Sequence, residues 1–171
     1  TADSLRSGGS RDTSFDDLAL NSADSDNSGG FDNFSSPSPS GPAPSYMDSE
    51  VGLLYQDALE DYYARRFDNA IAKFRSILHR GDAGALADNS QYWIGESYYA
   101  KGKYLQATVE FEKVNRFPKG NKATDARLMV GLALMKAGEA TQAREEFQGL
   151  MNFFRNANAA RKAQRYLSTL G

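Results

Sequence analysis

From Met47 onward, apolar residues recur three and four positions apart, and nowhere do they alternate as a half-buried strand would. This spacing predicts helices over about residues 48–64, 67–80, 89–101, 104–116, 122–137 and 140–154. A seventh is predicted over about residues 157–169, with Ala160, Ala163, Tyr166, Leu167 and Leu170 as its apolar face. The pattern before Met47 is different: apolar residues are sparse and fall at no regular interval.

The helical pattern repeats. Ala70, Ala107 and Ala143 each stand four residues before a phenylalanine: Phe74, Phe111 and Phe147. Twelve residues before each alanine is another small residue, Ala58, Gly95 or Gly131. Five residues before the second and third alanines lie Gly102 and Gly138, where a tight turn between helices is expected. The units are 37 and 36 residues apart. Small residues are needed where two helix backbones approach closely, and the phenylalanine on the same face fills the space toward the next unit. These marks define the tetratricopeptide pattern, a helix-turn-helix unit of about 34 residues. The expected fold is all-α: three tetratricopeptide repeats over residues 47–171, closed by a capping helix that covers the last apolar face. A proline ends the unit only once, at Pro118, and the first unit runs instead into a long connection, His79–Asn89.

Residues 1–46 hold twelve Ser, four Pro and five Gly, and their aromatics are limited to Phe15, Phe31, Phe34 and Tyr46. Such a segment buries too little apolar surface to offset the entropy of ordering it, so it reads as a disordered acidic linker. Its end, SPSPSGPAPS (Ser36–Ser45), favours extended polyproline-like conformations. Two islands, TSFDDLAL and GGFDNF, mix acidic and apolar residues as short docking motifs do, but ordinary linker is the favoured reading of so loose a compositional signal.

Charge divides at the same place. Residues 1–50 carry nine acidic and two basic side chains, a net −7, whereas residues 51–171 carry thirteen acidic and eighteen basic, a net +5. Spread over 121 residues with no basic stripe, that excess describes a solvated surface and not a nucleic-acid footprint. Cysteine is absent, which excludes disulfides, thiol catalysis and thiolate metal sites. No apolar run approaches a membrane span, so direct membrane insertion is not expected. The chain opens on Thr1 and not on Met, and is expected to be a processed or shortened one whose address label lies elsewhere.

Catalytic chemistry finds little support. His79 is the single histidine and reads as a residue at a helix C-terminus, where a cation complements the dipole. The carboxylate pairs Glu110/Glu112 and Glu145/Glu146 diverge on a helix and read as exposed charge. The Lys119-Gly120-Asn121-Lys122 stretch lacks the spacing and preceding strand of a phosphate loop. No metal set and no cofactor is expected, and the chain is not expected to be an enzyme.

QYWIGESYYAKGKYLQATVEFEKV, then RFPKGNKATDARLMVGLAL, then NAARKAQRYLSTLG resembles the C-terminal tetratricopeptide domain of the periplasmic cell division coordinator family, of the YbgF/CpoB type. The resemblance covers about residues 51–171 and is most specific at Tyr92-Trp93-Ile94-Gly95-Glu96 with Tyr98-Tyr99, and at Phe117-Pro118-Lys119-Gly120 with Lys122 and Asp125-Ala126. It implies a periplasmic, non-enzymatic adaptor working with the Tol–Pal system in division, with a Tol-system subunit as partner. The chain departs from the family in two places. A Ser/Pro/Gly stretch stands where the family has an oligomerising coiled coil, and the turns His79-Arg80-Gly81 and Phe154-Arg155-Asn156 replace its Tyr-Pro turn. A subunit of an outer-membrane assembly or secretion complex shares much of the same pattern, and a self-assembling scaffold is the other alternative, its acidic stretch of net −7 docking on the +5 domain of its own chain or a neighbour's. Oligomerisation through sequence preceding Thr1 also stays open.

In such a solenoid the first helix of each unit lines a concave groove. Projection of the repeat places Tyr55, Leu59 and Tyr62 there from the first unit, and Tyr92, Glu96 and Tyr99 from the second. The third unit offers Asp125, Leu128, Leu132 and Met135. Trp93, Tyr98, Phe67, Phe74, Phe111 and Phe147 fall on packing positions. The basic-and-amide set that grips a C-terminal carboxylate is absent, so a protein or peptide would be held there by apolar contact and shape.

Overall fold

The computed structural model describes residues 49–84, 86–117, 120–153 and 158–170. The linker reading of residues 1–46, Pro118 and the turn Phe154-Arg155-Asn156 lie outside them.

Among the described residues seven α-helices follow one another: α1 Glu50–Tyr63, α2 Phe67–His79, α3 Leu86–Ala100, α4 Tyr104–Glu112, α5 Ala123–Lys136, α6 Ala140–Phe153 and α7 Asn158–Thr169. Each packs on the next, and α7 lies across both α5 and α6. The described residues contain no strand. Two elements differ from expectation. Helix α3 starts at Leu86, so the connection after α2 is shorter than His79–Asn89, and α4 tightens into a 3₁₀ turn at Lys113–Arg116.

Three identical turns set the architecture. Two residues past the ends of α1, α3 and α5 stand Arg65, Gly102 and Gly138, all with positive φ: 60°, 71° and 86°. At each, the amide of this residue donates to the carbonyl three back: Tyr62, Tyr99 and Met135. The following amide donates five back, to Asp61, Tyr98 and Leu134. This is the Schellman closure, which satisfies carbonyls that a helix end would otherwise leave unpaired. The residue after it opens the next helix, the carbonyls of Arg66, Lys103 and Glu139 accepting from the amides of Ala70, Ala107 and Ala143. One alanine of the repeat therefore sits at a fixed distance from each turn.

The paired helices then meet at the small residues. A methyl group built on Gly95 would lie 2.6 Å from Cδ1 of Phe111, and one on Gly131 would collide with the Phe147 ring. Phe74, Phe111 and Phe147 are all fully buried. Two apolar clusters result. One joins α1, α2 and Ile94 of α3; the other joins Tyr92 of α3 to α4–α7. Helix α3 belongs to both and is covered on opposite sides, so it has little amphipathic character. The cap behaves as expected: Ala160 and Ala163 are buried, Leu167 and Leu170 lie against the core, and Tyr166 stacks on Phe147 at 5.6 Å.

Candidate partner-binding face

The three stripes projected onto the first helix of each unit enter the core at their N-terminal ends and surface at their C-terminal ends. Tyr55 is 0 % exposed, and Leu59, Tyr92, Glu96 and Leu128 are buried. These five correct the expectation that they line an open groove: the helices are rotated enough to turn them inward. Tyr62, Tyr99, Asp125, Leu132 and Met135 remain half-buried. The Tyr55 hydroxyl accepts a hydrogen bond from Trp93 Nε1 at 2.8 Å, which gives its polar atom a partner inside the core.

An aromatic row spans α1 and α3. Tyr62 lies 4.8 Å from Trp93, Tyr63 lies 6.1 Å from Trp93, and Tyr62 also meets Phe67 at 5.6 Å, all edge-to-face. Trp93 continues to Tyr92 at 6.1 Å and Tyr92 to Phe111 at 5.4 Å. Trp93, Tyr98 and Phe67 are only half-buried, whereas Phe74, Phe111 and Phe147 are the core residues their positions imply. At the outer end of the row Tyr63 is 70 % exposed.

Glu96 lies where the first helices of all three units come together. It is 6 % exposed, and its Oε1 has no hydrogen-bond partner among the described residues. Burial pushes its carboxyl up to about 7; the Tyr92 hydroxyl and the Lys122 charge oppose that rise, and Asp125 adds to it. Tyr62 and Tyr92 are themselves raised, first by burial and then by Glu96. The carboxyl of Asp125 is raised by burial as well, against the pull of Lys122 and Lys162.

Two polar networks escaped sequence reasoning. The Asp88 carboxylate on α3 accepts from the backbone amides of Asn121 at 2.8 Å and Lys122 at 3.3 Å, just ahead of α5. Two amides of that stretch, those of Asn121 and Lys122, are thus held by a carboxylate of the preceding unit. Glu110 is 8 % exposed, which corrects its reading as exposed charge. It accepts from Gln91 Nε2 at 2.9 Å and pairs with Lys113 at 2.9 Å and Arg75 at 3.5 Å. Burial raises its carboxyl, but Lys113 and Gln91 outweigh that and hold it below the usual glutamate value. Arg75 also donates to the Tyr98 hydroxyl at 3.1 Å, tying α2, α3 and α4 together. Only the Glu110–Lys113 pair is local, three residues apart; the other partners lie 19 to 35 residues apart, beyond any local sequence signal.

The described residues contain no group of three or more His, Asp or Glu side chains placed to hold a metal, and no helix is long and apolar enough to cross a membrane.

Paired helices closed by the same turn, with a small residue against a phenylalanine in every unit, define a tetratricopeptide-like solenoid. The tetratricopeptide repeat family model matches residues 89–120, which run through α3, α4 and the 3₁₀ turn to Gly120. Comparison with curated proteins returns no match. A tetratricopeptide repeat marks a protein-interaction module, and such repeats are typically non-catalytic.

Proposed function

We infer that the chain is a non-enzymatic adaptor that docks a partner protein against the surfaced ends of the three stripes. The observation that carries this reading is the aromatic row Tyr62–Trp93–Tyr63, which ends in exposed tyrosine on the face shared by successive repeats. Tyrosine and tryptophan give large contact area for little lost rotamer freedom, and they tolerate one wet end. Tyr99, Leu132 and Met135 extend the same kind of surface along α3 and α5.

The resemblance of residues 51–171 to periplasmic cell division coordinators supports a Tol-system subunit as the partner. On that reading the protein works in the periplasm, linking the Tol–Pal system to division. The test is a pull-down from envelope extract with the whole chain as bait, beside a Tyr63→Ala/Tyr99→Ala variant of unchanged helicity. Recovery of a Tol-system subunit by the wild-type chain alone is expected. Recovery of outer-membrane assembly or secretion subunits would keep the surface and replace the role. Equal recovery by both baits would remove the aromatic face from the function.

A further inference from the structure

Between the first helices of the three units lies a carboxyl oxygen that the fold leaves without a partner. Glu96 is 6 % exposed, and among the described residues nothing hydrogen-bonds its Oε1. We propose that Glu96, with Asp125 beside it and the rings of Tyr62 and Tyr92 as walls, receives one lysine side chain of the docked partner.

Placement comes first. On α3, Glu96 stands four residues after Tyr92 and three before Tyr99, so the three share one face. Toward α1 the charge of Glu96 acts on the Tyr62 hydroxyl, and toward α5 Lys122 and Asp125 act on Glu96. Tyr62, Tyr99 and Asp125 are half-buried and form the solvent side of this group. The unpartnered oxygen therefore belongs to the face on which the adaptor reading places the partner.

Chemistry selects the occupant. Two neighbouring carboxyls that burial holds toward the neutral form ionise most readily when a cation enters between them. The chain already seats one ammonium here: Lys122 Nζ lies 5.6 Å over the Tyr92 ring. Lys122 is fixed at the start of α5 by the Asp88 carboxylate on its amide, and its ammonium does not pair with Glu96 Oε1. An incoming ammonium displaces it from the ring and takes the open oxygen. The Tyr92 hydroxyl hydrogen-bonds the Glu96 carboxyl, which leaves one oxygen free. A single acceptor suits the compact ammonium of lysine, whereas a guanidinium fork calls for two in one plane. The lysine stem, being apolar, packs along the tyrosine rings.

Such a site depends on pH. The Glu96 carboxyl stands near 7, and an ammonium favours its ionised form, so binding sends a proton to solvent and strengthens as pH rises through neutrality. Of the groups that face Glu96, Tyr62 on α1 and Tyr92 on α3 are raised away from this range. At the start of α5, Lys122 and Asp125 act on it in opposite directions, and Lys162 on α7 acts on Asp125.

This assignment rests on the adaptor reading for its partner, while the site itself is tested without one. The probe is n-butylammonium chloride, the head and stem of lysine, added to the full chain carrying carbon-13 in its glutamate carboxyls. The Glu96 signal is assigned by its loss in Glu96→Gln. In sodium chloride of equal strength its titration midpoint is expected near 7. A probe that prefers the ionised form tenfold lowers that midpoint by about one pH unit at saturation. Asp125→Asn should weaken the fall, and n-propylguanidinium should produce a smaller one. The same midpoint in both salts would overturn the site, as would a Glu96 already ionised at pH 5 in sodium chloride alone. A larger fall with n-propylguanidinium would overturn the choice of lysine. Failure of the pull-down beside a lowered midpoint would remove the adaptor and keep the site; the reverse pair of results would keep the adaptor and remove the site.

Discussion

Arg65 holds, at φ 60°, the helix-ending position that Gly102 holds at φ 71° one repeat later. Both donate their amide to a tyrosine carbonyl at 2.9 Å, so the hydrogen bonding is the same and only the side chain differs. A side chain with a Cβ in the left-handed region costs about 1 kcal/mol that glycine avoids. Arg65→Gly is therefore expected to stabilise the fold by up to about 1 kcal/mol, less whatever the stacking of Arg65 on Phe67 contributes. Gly102→Ala should destabilise it by about 1 kcal/mol. Urea melts of the two variants check the pair, and a destabilised Arg65→Gly would mean that the stacking on Phe67 outweighs the strain.

Gly95 and Phe111 form a contact with no room for a methyl group. Gly95→Ala must push a buried ring or separate α3 from α4, and overpacking of this kind costs about 1–3 kcal/mol. Phe111→Leu alone should cost a comparable amount, since it leaves a hole. Combined, the two losses should fall short of their sum, because the smaller side chain makes room for the alanine. Strict additivity in a double-mutant cycle would show that the collision is relieved by other means.

These contacts explain why so much of the fold could be read in advance. Close backbone approach restricts residue size, so Gly95, Gly131, Ala70 and their phenylalanines carry the constraint in their identities. Arg65 hides its turn, because nothing in an arginine announces a positive φ. The face of α1 and α3 was harder for another reason: tyrosine suits a core and a surface equally. Tyr55 is buried because Trp93 satisfies its hydroxyl, and that partner lies 38 residues away. Glu110 is buried for the same kind of reason, through Gln91, Lys113 and Arg75. Helical spacing fixes which residues share a stripe; the rotation of that stripe depends on such distant partners.

Asp88 and Gly120 join the second and third units. A methyl group on residue 120 would meet the Asp88 carboxylate, which already holds the amides of Asn121 and Lys122. Hydrogen bonds to a charged group contribute about 1.5–3 kcal/mol, so Asp88→Ala should cost roughly 2 kcal/mol. Gly120→Ala should cost less, because it displaces the carboxylate without removing it. In the double variant the glycine substitution should be nearly silent, as the group it collides with is gone. Hydrogen exchange of the α5 amides adds a local readout: faster exchange there, with α1 and α2 unaffected, is the expected pattern.

Glu96 gives the fold a pH dependence of unusual sign for a carboxylate. Its folded value of about 7 stands above its ordinary 4.5, so between these values the folded chain binds a proton that the unfolded chain has released. Stability must then fall as pH rises through that window and level off above about 7. At 1.36 kcal/mol per pH unit, the full difference amounts to about 3 kcal/mol. Asp61 works in the opposite direction. Its carboxyl is held low by hydrogen bonds from Lys73 and Arg66, so its contribution is complete above the ordinary aspartate value and is lost on further acidification. Together they place the stability maximum on the acid side of neutrality, near pH 5. Glu96→Gln keeps the shape and removes the titration: it should match the wild type near pH 5 and exceed it at pH 8. Urea unfolding at these two pH values decides the matter. If both proteins lose stability equally between them, Glu96 finds its charge a partner in solution, and the buried carboxyl is not the source of the slope.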